Sequence, residues 1–358
     1  MPVLAACFGY SGAYFLIETP KNKKSEFNFV TFPYTYIPAI CGDYCDSKKF
    51  NTYLMEKIAG DFGAKLSDFD ILITDVYDYP RVTFEPTQFV TLNRLFQATS
   101  GPYPIYVSNH SVRTKKAAIG INLLKGVETQ SGHENFELNF GKIFSPNELE
   151  YIYNHEIYPQ ISAVDLSTRI DLDRNIVNMV TKETDIGISA DSNQLIFMGA
   201  RFIDRILDPE LDYVLALDFI QNPGVYSVYI DRNNAFILLS LLSLHKTDAE
   251  INFDKYLEKA GTVIRTHGET ECLIKSGSST GQIFTLIENE VFVVPLDENS
   301  MAEVQVRGSH VEKGVVANVK GGKVGIIFDT MQRNVLISDD RKALNNCIKF
   351  FESSIKGV

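Results

Sequence analysis

The sequence predicts an α/β fold built in two or three lobes. With 358 residues, of which 45% are hydrophobic, the chain is long enough to form more than one hydrophobic core. Short apolar segments typical of buried strands alternate with segments whose apolar residues recur at helical spacing, which is the pattern of a sheet covered by helices. After about residue 277 the pattern changes to short strands separated by turn residues, and this indicates a small β subdomain.

The first predicted elements are a β-hairpin and a helix. Two apolar segments, Val3–Phe8 and residues 13–17, flank the sequence Gly9-Tyr-Ser-Gly12, where glycine permits the positive φ angles of a tight turn. Residues 48–62 carry apolar side chains close to helical spacing. We expect this helix to pack on the sheet that contains the hairpin.

Two short apolar segments, residues 69–74 and residues 103–108, suit buried strands of the same lobe. Residues 126–139 are polar and contain glycine, which indicates a loop or an excursion from the first lobe. The next segment has the capping pattern of a helix start at Ser145. We therefore place the boundary between the lobes near residues 126–160.

The C-terminal half begins with an apolar strand that runs into Gly199, and later segments continue the alternation. These are a strand in residues 222–231, a helix at 234–244, an apolar strand at 260–264, five short strands at 282–286, 290–295, 302–307, 314–319 and 323–329, and a final helix at 339–352. The predicted division is an α/β core in residues 1–276, a β subdomain in 277–338 and a C-terminal helix in 339–358.

The order of these segments from residue 195 to residue 353 resembles the C-terminal half of the MutL-type glutamate mutase accessory family, and residues 3–160 resemble it loosely. Members of that family look like actin/Hsp70-type ATPases. The resemblance implies a two-lobed actin-like ATPase fold that holds ATP with Mg²⁺ between its lobes, where two β-hairpins wrap the phosphates. It also implies a chaperone-like accessory role, in which a protein client or a second copy of the chain is the partner.

The first predicted hairpin resembles one of the two phosphate-binding hairpins of this superfamily. Gly9, Ser11 and Gly12 would offer backbone amides and a hydroxyl group to phosphate oxygens. The simpler alternative is a tight turn that needs glycine for its backbone conformation. The sequence Gly321-Gly-Lys323, by contrast, lacks the spacing of a phosphate-binding loop, and we interpret it as a hairpin turn.

Further candidate residues follow the predicted strands. Gly199, Ala200 and Arg201 resemble the adenosine-side motif of the superfamily, with Arg201 able to stack on a base or to contact a phosphate. The alternative for them is close packing of a helix on a strand. Because α/β sheets bind ligands at the carboxyl ends of their strands, we also select the residues that end two strands as candidates for the cleft. These residues are Thr74, Asp75 and Asn109, and their alternative role is to cap strands and form turns.

Two departures from the superfamily pattern predict that ATP hydrolysis is weak or lost. Cys7 occupies the position where the pattern has an aspartate, and a thiol is a poor ligand for Mg²⁺. Residues 163–171, where the second phosphate hairpin is expected, contain no glycine. No catalytic residue is therefore assigned, and the alternative to a nucleotide-binding accessory protein is a non-enzymatic adaptor that self-assembles or docks a partner.

Composition argues against several other classes of function. The formal net charge is −11, so the basic surface of a nucleic-acid-binding protein is not expected. The five cysteines form no disulfide framework, and Cys41-x-x-x-Cys45 has no second ligand pair nearby, so no metal site is predicted. No segment has the ~20 consecutive apolar residues of a membrane helix, and the N-terminus lacks the basic region of a signal peptide. The sequence thus predicts a cytoplasmic protein without a membrane partner.

Overall fold

A computed structural model of the chain describes residues 2–8, 12–21, 24–33, 47–75, 88–92, 94–95, 105–108, 111–113, 118–122, 126–129, 194–199, 217, 224–245, 255–266, 268–277, 281–308 and 311–330. Within these residues the two longest helices are α1 (Ser47–Asp61) and α2 (Ala235–His245). The strands are β1 (Val3–Phe8), β2 (Gly12–Lys21), β3 (Lys24–Pro33), β4 (Asp70–Asp75), β5 (Gln88–Phe89), β6 (Ile105–Ser108), β7 (Ser111–Arg113), β8 (Ala118–Asn122), β9 (Gly126–Thr129), β10 (Gln194–Gly199), β11 (Gly224–Asp231), β12 (Glu258–Arg265), β13 (Thr270–Ser276), β14 (Gln282–Leu286), β15 (Val291–Val294), β16 (Met301–Gly308), β17 (Val311–Lys320) and β18 (Gly325–Asp329).

The first sheet, sheet A, has the strand order β3-β2-β1-β4-β5. Strand β1 is antiparallel to β2 and parallel to β4. Its side chains are buried on both faces of the sheet, as expected for a strand in the middle of a covered sheet. The face that contains Leu4, Ala6 and Phe8 packs against α1, whose buried side chains are Leu54, Met55, Ile58 and Ala59.

The second sheet, sheet B, contains nine strands in the order β15-β18-β12-β11-β10-β6-β7-β8-β9. Five of them, β8-β7-β6-β10-β11, repeat the order and directions of sheet A. In both sheets the middle strand of the first three is antiparallel to its two neighbours, and the last two strands run parallel to the third. The hairpin β6–β7 therefore takes the place in sheet B that β1–β2 takes in sheet A. This correspondence places two hairpins at equivalent positions of two sheets.

Helix α2 follows β11 of sheet B and packs on the face of sheet A opposite α1. Its residues from Ala235 to Leu242 are all buried, in one cluster with Val3, Ala5 and Cys7 of β1. A helix that is apolar on every side is expected where both of its sides are covered. At its C-terminal end, His245 lies 3.7 Å from Asp70 at the start of β4. Helix α2 thus runs antiparallel to β1 and β4.

The third sheet, sheet C, has the order β14-β13-β16-β17 and is antiparallel throughout. Its inner face packs on β12 and β18 of sheet B, and the shared cluster includes Ile264, Cys272, Val304 and Phe328. Where β12 and β18 end side by side, the buried guanidinium of Arg265 lies 3.6 Å from the buried carboxylate of Asp329. Burial lowers the pKa of Arg265, and the Asp329 charge acts in the opposite direction.

The structure confirms the predicted α/β class with a small β sheet in the C-terminal part. The predicted hairpin, both described helices and the five short strands after residue 281 are all present. The five short strands divide between two sheets: β14, β16 and β17 belong to sheet C, whereas β15 and β18 belong to sheet B. Sheet C also contains β13, which precedes residue 277. The domain boundary at residue 277 therefore stays a prediction, and the C-terminal helix at 339–358 lies outside the described residues.

Two local expectations need correction. Residues 126–129 belong to a segment predicted to be a loop or an excursion from the first lobe, and they form strand β9 at the edge of sheet B and not a loop. Gly321 and Gly322 do not form a hairpin turn, because β17 and β18 belong to different sheets. A Cβ atom at Gly321 would collide with the carbonyl oxygens of Leu296 and Asp297, so glycine is needed for a close backbone crossing. No helix within the described part of the chain is long and apolar enough to cross a membrane.

The end of α1 gives a matched pair of glycine predictions. Gly63 has a φ angle of +72°, and the amides of Gly63 and Ala64 donate to the carbonyls of Gly60 and Ala59, which is a Schellman motif. Gly60 lies within the helix with open space at its Cβ position. We expect Gly60→Ala to raise the free energy of unfolding by about 0.5–1 kcal/mol and Gly63→Ala to lower it by about 1 kcal/mol. Chemical denaturation measures both, and equal effects of the two variants would contradict the assignment.

Candidate functional site

The carboxyl ends of three parallel strands meet at one edge of sheet B. Strand β10 runs parallel to β6 and to β11, with Met198 level with Val107 and Gly199 level with Asp231. Strand β6 ends at Ser108, next to the same edge. Ligands of α/β proteins bind at such an edge, because the strand ends there leave room for loops and helix starts.

Sheet A has a corresponding edge at the ends of β1 and β4. The parallel strands β1 and β4 end level with each other, at Phe8 and Asp75, and β2 begins beside them at Gly12. One row of the sheet lies directly before this edge and consists of Thr31, Tyr14, Cys7 and Thr74 side by side.

The segment that joins β11 to α2 brings the two edges together. Asp231 ends β11 at the edge of sheet B, and two residues later the side-chain oxygen of Asn233 accepts a hydrogen bond from Thr31 Oγ1 of sheet A at 3.1 Å. The next residue, Asn234, has a φ angle of 50°, a left-handed conformation in which asparagine is enriched. The N-terminus of α2 therefore lies between the carboxyl edges of sheets A and B.

Asp231 fixes this junction. Its carboxylate is 1% exposed and accepts hydrogen bonds from the backbone amides of Ala235 at 2.5 Å and Phe236 at 3.0 Å. These amides belong to the first turn of α2, where they have no partner within the helix. Burial raises the pKa of Asp231 to about 7, and the hydrogen bonds from the backbone act in the opposite direction. The residue is thus a buried carboxyl group that titrates near neutral pH.

Two polar side chains of the row in sheet A are buried beneath α2. Cys7 is fully buried in the cluster that α2 forms with sheet A. Thr74 is also fully buried, and its hydroxyl oxygen has no hydrogen-bond partner among the described residues. Both side chains point to the face of sheet A that α2 covers, and neither extends beyond the carboxyl ends of the strands. Neither is therefore placed to touch a ligand that lies outside the strand ends.

The sequence-predicted residues are distributed unevenly over this geometry. Gly12 begins β2, Asp75 ends β4 and Gly199 ends β10, so the structure places all three at the two edges. Thr74 lies one row inside. Gly9, Ser11, Asn109, Ala200 and Arg201 lie outside the described residues, as do residues 163–171.

Two features were missed from the sequence. Hairpin β6–β7 is equivalent to β1–β2, but its strands are only four and three residues long, which is a weak signal. Asp231 had a clear signal, since an aspartate that ends an apolar strand just before a helix is a typical helix-start residue. Among the described residues, no group of three or more His, Cys, Asp or Glu side chains is arranged to hold a metal ion.

The titration of Asp231 predicts a specific dependence of stability on pH. The unfolded chain loses this proton near pH 4, whereas the folded chain keeps it to about pH 7. Wild-type stability should therefore fall, relative to Asp231→Asn, by about 1.4 kcal/mol per pH unit between these values and level off above the higher one. Urea unfolding of both proteins across this range measures the difference. Asp61→Asn, at an exposed carboxylate in α1, is the control, and a pH-independent difference for Asp231→Asn would refute the assignment.

Comparison with known proteins yields distant structural likeness. No protein-family model and no curated protein matches the chain. The activator of 2-hydroxyisocaproyl-CoA dehydratase from Clostridium difficile with bound ADPNP is similar over 70% of this chain and 100% of its own, with 10% identity and a TM-score of 0.35. Component A of (R)-2-hydroxyglutaryl-CoA dehydratase from Acidaminococcus fermentans covers the same shares with 11% identity and a TM-score of 0.36.

The ethanolamine utilization protein EutJ from Carboxydothermus hydrogenoformans is similar over 68% of this chain and 89% of its own, with 11% identity and a TM-score of 0.33. These values assign the chain to no family. Its relation to the MutL-type accessory family therefore stays a prediction from sequence.

Proposed function

We propose that the chain is an actin-like nucleotide-binding accessory protein that binds ATP between sheets A and B and whose ATPase activity is weak or lost. The observation that carries this proposal is the pair of equivalent hairpins, β1–β2 and β6–β7, in two sheets whose carboxyl edges meet at residues 231–234. Two hairpins at facing edges are the arrangement that an actin-like ATPase uses to wrap phosphates.

The phosphate contacts are assigned to the turns of the two hairpins. Gly9, Ser11 and Gly12 would surround the phosphates from sheet A with backbone amides and a hydroxyl group. From sheet B, the turn between Ser108 and Ser111 would do the same, and it contains the predicted cleft residue Asn109. The role predicted for residues 163–171 thus moves to this second hairpin, because β6 and β7 hold the position equivalent to β1 and β2.

The nucleoside is assigned to the end of β10. Gly199 lies level with Asp231 at the edge of sheet B, and a residue without a side chain there leaves room for a ligand next to the backbone. Ala200 and Arg201 follow directly, so the Arg201 guanidinium would contact the base or a phosphate. Mg²⁺ would arrive with ATP and neutralise phosphate charge while keeping several of its waters.

Weak or absent hydrolysis follows from the carboxylates at the two edges. Cys7 replaces the expected aspartate and is buried under α2. The oxygens of Asp231 are occupied by the amides of α2. Glu258 begins β12 at the edge of sheet B, where Arg232 and Lys323 pair with its carboxylate. Asp75 at the end of β4 would then orient bound Mg²⁺, and no second carboxylate without such partners is placed at the two edges, among the described residues, to activate water.

A second candidate function, a non-enzymatic adaptor, is favoured by one observation. The thiol of Cys7 is enclosed in the apolar cluster between α2 and sheet A, so this position contributes to packing and not to a metal site. In that case the two lobes serve as a scaffold, with a protein client or a second copy as partner. The client and the location in the cytoplasm both remain predictions from sequence.

Binding of ATP distinguishes the two functions. Isothermal titration with ATP and Mg²⁺ should show binding to the wild type and at least tenfold weaker binding to Gly199→Val, because the added side chain fills the space at the end of β10. Gly60→Val is the matched control, since its Cβ position is open and lies in α1. Phosphate release should stay close to background in all three proteins.

The proposal fails if the wild type does not bind ATP, or if Gly199→Val has a native melting temperature and unchanged affinity. Magnesium-dependent turnover that is lost in Gly12→Val but kept in Cys7→Ser would contradict the loss of ATPase activity. It would mean that a residue other than Cys7 organises the metal.

A further inference from the structure

The edges of the three sheets differ in how they are protected against pairing with another strand. Natural proteins protect edge strands with charges, proline, short length or burial. The described sheets have six edge strands, and five of them carry such protection. Strand β3 contains Lys24 and Glu26, β5 has two residues, β9 contains Glu128, β15 is partly buried and followed by Pro295, and β17 contains Glu312 and Lys313.

The sixth edge, β14, has neither charge nor proline in its five residues, Gln282-Ile-Phe-Thr-Leu286. Its outward side chains, Ile283 and Thr285, are exposed. Ile283 is 67% exposed. This combination of an uncharged strand with an exposed β-branched side chain is the type that pairs with a further strand.

Strand β14 is also held firmly in place. The Phe284 ring packs at 4.9 Å from the Phe292 ring and at 5.1 Å from the Phe328 ring, measured between ring centroids. Leu286 is 1% exposed. The inward side chains thus fix the strand on the core of sheet C, so that its backbone groups are presented, without a further ordering cost, at an edge that pairs with no other strand among the described residues.

The outer face next to this edge is partly apolar. Ile283, Leu273, Gln305 and Val316 lie side by side across the four strands, and Val316 is 60% exposed. The neighbouring row contains Glu271 and Arg307, whose charges have opposite sign. Neither of these two rows carries charges of a single sign.

We propose that β14 pairs antiparallel with β14 of a second copy of this chain, which joins two four-stranded sheets C into one sheet of eight strands. A two-fold axis at Phe284 places Ile283 of each copy opposite Thr285 of the other, a favourable pair of β-branched residues. An uncharged strand opposes no like charges when it meets itself. This matters in a chain of net charge −11, whose copies repel one another over most of their surface. A two-fold axis brings the same surface of both copies together, so strand β14 of each copy is the only contact surface that the pairing requires.

The test is the mass of the full-length protein in solution. Light scattering across a wide concentration range should give twice the chain mass of 40.2 kDa for the wild type. Ile283→Lys should halve that mass, because two lysines would flank the two-fold axis. Val316→Lys is the matched control, since it adds the same charge to an equally exposed site on the same face but at the opposite edge. It should remain at twice the chain mass.

A synthetic peptide of residues 281–287 should compete and halve the mass of the wild type. Equal melting temperatures of the two lysine variants would show that both fold. A wild type of single-chain mass at every concentration would overturn the proposal and leave β14 as an edge for an extended peptide of another protein. Equal masses of Ile283→Lys and Val316→Lys would overturn it as well. Neither result depends on whether the chain binds ATP.

Discussion

The burial of α2 against sheet A, in a cluster that also includes Tyr229 of β11, is the contact on which the arrangement of the molecule depends. Eight consecutive residues from Ala235 to Leu242 are buried, and each large apolar side chain among them contributes about 1.5–3 kcal/mol when it leaves water. The helix leaves β11 of sheet B and covers β1, β2 and β4 of sheet A. It therefore fixes one sheet against the other, and the position of its N-terminus decides where the two carboxyl edges meet.

Asp231 is the polar counterpart of this apolar contact. A helix start buried between two sheets would leave its first amides without partners, and the Asp231 carboxylate accepts two of them. The same residue ends β11 next to Gly199. Strand end, helix start and proposed nucleotide site are thus connected through one side chain. In our account, a ligand at Gly199 would contact the segment that holds the two sheets together, which is how binding would be coupled to the relative position of the lobes.

Much of the fold could be predicted because its signals are local. The β1–β2 hairpin follows from two apolar segments around glycine, α1 follows from apolar residues at helical spacing, and α2 follows from an apolar segment of eleven residues, which is longer than a typical strand. What the sequence could not show is which strands pair over long distances. Strands β15 and β18 have the same short apolar pattern as β14 and β16, yet they join sheet B. Sheet membership depends on packing between distant segments, and no local pattern encodes it.

The positions of the candidate residues were predictable only in part, for related reasons. The strand-end positions of Gly12, Asp75 and Gly199 could be predicted, because glycines and polar residues that border apolar segments are visible in the sequence, and their role in a site stays a prediction. Thr74 has the same sequence signal as Asp75, but the alternation of side chains turns it under α2. The second hairpin could not be recognised, because its identity lies in the repeated strand order and not in its composition.

Hydrogen–deuterium exchange with and without ATP and Mg²⁺ tests the central claim most directly. If both hairpins and the β11–α2 junction surround one nucleotide, ATP should slow exchange at residues 8–12, 108–111 and 231–236 together, while sheet C stays unchanged. Protection at one hairpin alone, or at sheet C without either hairpin, would contradict a nucleotide site between the two sheets.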